Sequence, residues 1–91
     1  MPTDPLTEIL FALQDARQRA TYGAVAGALG AVPYFLMSGR PRDPLHSWVV
    51  SKASGRPTHY PDDAVHPDLL VRDRVIDTAS DLEAWLEARS P

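Results

Sequence analysis

Arg19-Ala20-Thr21-Tyr22-Gly23-Ala24-Val25-Ala26-Gly27-Ala28-Leu29-Gly30 is the stretch on which the fold turns. Thr21 is a natural N-cap, because its hydroxyl accepts a bond from an amide that the helix leaves without a partner. Gly30 takes the left-handed conformation that ends a helix. The stretch therefore predicts a short helix over about Tyr22–Leu29, with Val25, Ala26, Ala28 and Leu29 as a narrow apolar stripe. Side chains this small let a second helix approach closely, as the tight turn of a helix-turn-helix requires.

On the N-terminal side, Asp4-Pro5 supplies a cap and a first-turn proline, and Leu6, Ile9, Leu10 and Leu13 recur at helical spacing. A first helix is expected from about Pro5 to Arg19. On the C-terminal side, Pro33 opens a third helix through Tyr34, Phe35, Leu36 and Met37 that ends near Ser38-Gly39. That is the place of a recognition helix, although only Tyr34 and Ser38 on it are polar. Arg40-Pro41-Arg42-Asp43-Pro44 is a loop, since prolines so spaced forbid regular structure.

His46-Ser47-Trp48-Val49-Val50-Ser51 is a β-prone run, Lys52-Ala53-Ser54-Gly55 has turn chemistry, and Arg56 to Tyr60 is expected to return as an edge strand containing Pro57. This is a wing-like hairpin with Lys52 and Arg56 at its tip. After the acidic turn Pro61-Asp62-Asp63 come a short helix around Asp68-Leu69-Leu70, a strand at Arg74-Val75-Ile76, and a helix to about Arg89. Thr78 and Asp81 cap that last helix, and Leu82, Trp85 and Leu86 line one face. The fold class expected is α+β: one winged helix-turn-helix domain over residues 1–91, with three helices, a wing hairpin, and a C-terminal strand and helix.

Ninety-one residues give room for one modest core. The chain has no cysteine, which excludes disulfides, thiolate metal sites and thiol nucleophiles. His46, His59 and His66 have no compact ligand spacing, so neither a metal nor a cofactor is expected. No apolar run spans a bilayer and no leader is recognisable, so a cytoplasmic, non-membrane protein is expected.

The net charge of -3 argues against coating nucleic acid by charge alone. The charges are segregated, however. Residues 1–16 carry three acids and no base, residues 17–56 six bases against one acid, and residues 57–91 three bases against eight acids. The positive block coincides with the helix-turn-helix and the wing.

With these elements in place, the chain resembles the DNA-binding domain of O6-alkylguanine-DNA alkyltransferases, and more closely the small alkyltransferase-like proteins. Thr21-Tyr22-Gly23 with Val25-Ala26 and Leu29-Gly30 looks like the family's threonine-tyrosine-glycine helix. Leu45-His46-Ser47-Trp48-Val49-Val50 falls where the family has proline-cysteine-histidine-arginine-valine-valine, and Ser51 to Gly55 matches the turn that follows. Leu69-Leu70, Arg74-Val75-Ile76-Asp77 and Asp81-Leu82 with Trp85 echo the order of the family's closing elements. Anchoring on Val49-Val50 puts His46 at the cysteine position, whereas anchoring on Pro44 needs a one-residue insertion.

The resemblance implies a protein that binds double-stranded DNA, with Tyr22 helping to turn a nucleotide outward. Alkyl transfer is excluded for want of a thiol, and the family's intercalating arginine has no counterpart in Pro33 to Met37. The expected DNA contacts are Tyr22, Tyr34, Ser38, Arg40, Arg42, Lys52 and Arg56, with His46 and Trp48 at a pocket; a lone tryptophan on a β-prone run is, however, more often a core residue, which is the other reading of Trp48. No catalytic residue is expected, because neighbours on a strand point to opposite faces and His46 and Ser47 then make no dyad. The alternative is a protein-interaction or dimerisation module that uses Tyr34, Leu36 and Met37 as an exposed apolar patch.

Overall fold

A computed structural model describes residues 4–33, 36, 37 and 39–89. Asp4 caps the first helix, α1 (Pro5–Ala16), its carboxylate accepting from the Thr7 amide, and Leu6, Ile9, Leu10 and Leu13 are its buried face. The helix stops three residues before the expected Arg19. Arg17 turns left-handed at φ 53°, and the Arg17 and Gln18 amides close back on the Gln14 and Leu13 carbonyls. The residues released, Arg19–Thr21, form a strand, β1, that the sequence did not announce.

Thr21 then caps α2 (Tyr22–Leu29), its hydroxyl accepting from the Ala24 amide at 3.1 Å, and Gly30 ends it at φ 68°, as expected. Val25 and Ala26 are buried together with Ala24, while Ala28 and Leu29 pack on the core from its edge. Gly27 decides what lies across from α2. A Cβ there would stand 2.7 Å from the Ala79 Cβ, so the glycine lets the C-terminal helix, α3 (Ala79–Arg89), lie directly on α2. The Thr78 hydroxyl accepts from the Asp81 amide at the start of α3, and Leu82 is its buried anchor.

The sheet has three short parallel strands in the order β2-β1-β3, where β2 is Val49–Val50 and β3 is Val75–Ile76. Ala20 pairs with both Val49 and Ile76. With a neighbour on each side, β1 is buried throughout, and its polar residues find partners inside the protein. Thr21 Oγ1 donates to the Asp77 carbonyl at 3.4 Å, and Gln18 Nε2 donates to the Arg19 and Arg74 carbonyls. The Arg19 guanidinium donates to the carbonyls of Gly55, Arg72 and Asp73, which ties the segments after β2 and before β3 to the centre of the sheet.

Three expectations are corrected. The wing hairpin does not form: β2 pairs in parallel with β1, and residues 51–60 make turns closed by bonds between Ser51 and both Gly55 and Arg56. Pro57 has no amide to donate and His59 is left-handed at φ 58°, so neither can extend a ladder. The short helix at Asp68–Leu70 is a set of turns that buries Leu69. Finally, no α-helix lies between Gly30 and Leu45 among the described residues. Leu36 and Met37 stand in turns, and Tyr34, Phe35 and Ser38 of the expected recognition helix lie outside the described residues. The α+β class holds, with a parallel sheet in place of the wing. No described helix is long and apolar enough to cross a membrane.

Candidate nucleic-acid interface

Tyr22 is the first residue of α2, so the Thr21 cap that starts the helix also fixes where this ring emerges. It emerges into a cleft of about 280 Å³ lined by Tyr22, Met37, Gly39, Arg40, Pro41, Arg42, Thr58 and Tyr60. The proline-punctuated loop supplies one wall, and the turn-rich segment after β2 supplies the other. The Tyr22 hydroxyl accepts from the Thr58 amide at 2.9 Å, which ties the start of α2 to the turn-rich wall, and its own proton has no acceptor among the described residues. Tyr60 donates to the Asp43 carbonyl at 3.2 Å. Burial, with the Asp43 charge beside it, pushes the Tyr60 hydroxyl up to about 12, so the ring presents a neutral face.

The two arginines of the cleft differ. Arg40 makes two bonds to the Asp4 carboxylate, at 3.1 and 3.2 Å, in the side-by-side geometry of a guanidinium on an oxyanion. Arg42, two residues on, is exposed and has no ion pair among the described residues.

The remaining expected contacts lie outside the cleft lining. Lys52, with a side chain 79% exposed, pairs with Asp77 at 3.0 Å. Arg56 is exposed, and its backbone is tied to Ser54 and Ser51.

The expected pocket residues are placed differently. Trp48 is fully buried, tilted against the His66 ring with centroids 4.8 Å apart and its Nε1 directed at Gln14. It is a core residue. His46 opens a 3₁₀ turn, His46–Trp48, and the Asp43 side chain folds onto it: one Asp43 oxygen takes the His46 amide at 2.9 Å and meets its Nδ1 at 2.6 Å. Burial raises the Asp43 pKa, but those bonds from His46 outweigh it and hold the carboxyl below its usual value. The ionised carboxylate accepts only, so Nδ1 carries the proton.

Because 46–48 is a turn and not a strand, the alternation argument against a His46–Ser47 pair does not apply. Ser47 is nonetheless committed elsewhere, donating to the Pro44 carbonyl at 2.6 Å and accepting from the His66 amide.

The expected apolar patch is also altered. Leu36 is 8% exposed and belongs to the core, Met37 is half-buried against it, and Tyr34 lies outside the described residues. Among the described residues no group of histidines and acids is arranged to hold a metal.

The chain matches no known family model, no curated protein and no solved structure.

Sequence reading missed Thr58, Tyr60, Asp43 and Asp4 as parts of this region. Asp43 did carry a local signal, since Asp-Pro-Leu-His has the spacing of a cap and its third residue. Tyr60 carried none, because only the tertiary fold brings it against Tyr22.

Proposed function

We propose that this chain is a non-enzymatic protein that binds double-stranded DNA, of the alkyltransferase-like kind, with the Tyr22–Arg42–Tyr60 cleft at the duplex. The observation that carries the reading is the convergence of Tyr22, Arg40 and Arg42 on one opening. These were singled out separately in the sequence, and the loops that join them are otherwise irregular.

The chemistry suits a nucleotide. Two tyrosine rings offer faces for stacking, the free proton of Tyr22 suits a phosphate oxygen, and Arg42 supplies an uncommitted guanidinium. A cleft of about 280 Å³ lies at the small end of ligand sites, which suits one base or phosphate and not a bulky ligand. Exposed Lys52 and Arg56 would add backbone contacts beyond the cleft. The resemblance extends the proposal to damaged DNA, where recognition without a thiol ends in binding alone.

The test is fluorescence anisotropy of a labelled duplex, with and without O6-alkylguanine, over a range of salt. Salt-sensitive binding is expected, and Arg42→Ala should weaken it and flatten the slope of log affinity against log salt by about 0.9. An unchanged slope removes Arg42 from the interface. No binding at low salt rejects the DNA reading, and equal affinity for both duplexes rejects lesion recognition.

A further inference from the structure

Two arginines line the cleft, and the guanidinium of one of them is already paired. Asp4 stands across the tertiary fold from Arg40 and takes it with both oxygens, while the same oxygens accept the Thr7 amide at 3.1 Å and the Thr7 hydroxyl at 3.0 Å. The Thr7 bonds are those of the α1 cap, so they hold the carboxylate in place whether or not Arg40 is present. A fixed oxyanion with two oxygens toward a guanidinium is the arrangement in which an arginine meets a phosphate.

We infer that Asp4 is a built-in competitor for the phosphate at Arg40, so that DNA engages this arginine only by displacing the α1 cap carboxylate. The inference rests on the DNA-binding reading above and specifies how that site is regulated: the protein's own helix cap sets its affinity. Arg42 is the group free to make first contact, and Arg40 joins once Asp4 yields. The guanidinium of Arg40, followed by the Thr7 bonds, keeps the Asp4 carboxyl well below the usual carboxylate range. The competitor is thus ionised throughout the physiological range, and its restraint is constant.

The contact is separable from the cap. Asparagine and serine cap helices about as well as aspartate but carry no charge. Asp4→Asn should therefore bind the labelled duplex several-fold more tightly, because Arg40 then reaches its phosphate with no carboxylate to displace. Asp4→Ser should do the same, and circular dichroism of both variants should show the native helix content and melting profile.

The decisive comparison repeats Asp4→Asn in an Arg40→Ala background, where the gain should vanish. A gain of equal size there would mean that Asp4 acts only as a diffuse negative charge, and the inference is overturned. Wild-type protein that binds as tightly as Asp4→Asn overturns it too, with the DNA reading intact. Binding by Asp4→Asn but not by wild type upholds it, whereas binding by neither protein at low salt rejects the DNA reading and the inference together.

Discussion

Arg19 and Arg42 are the same residue type in two regions that use it in opposite ways. In β1, Arg19 is 7% exposed and its guanidinium is spent on three main-chain carbonyls, with Nε buried and without a partner among the described residues. At the cleft, Arg42 is exposed and has no ion pair among the described residues. A cation facing inward, where no solvent competes, stabilises the fold by satisfying carbonyls of irregular segments that no ladder reaches. A cation facing outward adds little to stability and stays available for an anion. Charge by itself therefore does not mark an interface; the partner that each charge already has does.

That contrast breaks first at the core that supports β1. Trp48→Ala removes the largest fully buried side chain and should cost about 4 kcal/mol by chemical denaturation. A loss below about 1 kcal/mol would place the ring outside the core.

Arg19→Ala should cost about 3 kcal/mol, since three charge-assisted bonds go and two loops are released. Hydrogen exchange should show loss of protection around residues 55 and 72–73. A variant as stable as wild type would mean that solvent already satisfies those carbonyls.

Gly55→Ala sharpens the picture. Gly55 sits at φ 69°, and a Cβ there would stand 2.9 Å from the Arg19 Nη1. The expected cost is about 1 kcal/mol for the left-handed backbone plus a further loss from the arginine contact. Only the backbone part should persist in an Arg19→Ala background. Strict additivity would refute the contact.

On the cleft side the effects on stability are smaller. Tyr60 ionises near 12 in the folded protein against 10.0 for an ordinary tyrosine. Its raised value contributes stability that is complete below pH 10 and is lost as pH rises through about 12. Ultraviolet titration should find one tyrosine that ionises late, and Tyr60→Phe should abolish it and remove that part of the alkaline destabilisation. The smallest effect belongs to Arg42→Ala, which should leave stability within about 0.5 kcal/mol while weakening duplex binding.

The three α-helices were legible because their signals are local. Asp4, Thr21 and Thr78 each cap an amide three residues on, and the apolar spacing of α1 exposes its buried face directly. The sheet was legible only in part: Val49–Val50 and Val75–Ile76 fall within runs read as β-prone, but β1 and the parallel pairing gave no local sign. Strands of two or three residues have no period to read, and Arg19 and Thr21 look like surface residues until their distant carbonyl partners are known. The wing failed for a related reason: β-prone residues before a turn suggest a hairpin, but β2 found its partner in β1, while Pro57 and a left-handed His59 closed the other choice.

Around the cleft, Tyr22, Arg40 and Arg42 were named in the sequence and line one opening, Trp48 lies in the core, the second of its two readings, and Leu36, expected on an exposed apolar patch, is buried. The sequence by itself determined the capped helices, the absence of any thiol chemistry and the cationic central block, because these depend on residue identity and neighbours along the chain. Only the tertiary structure decided which cations are free, for that depends on contacts such as Asp4 with Arg40 and Gly55 with Arg19, between residues far apart in the chain and brought together as α1 and α3 pack on α2 and α2 packs on a buried central strand.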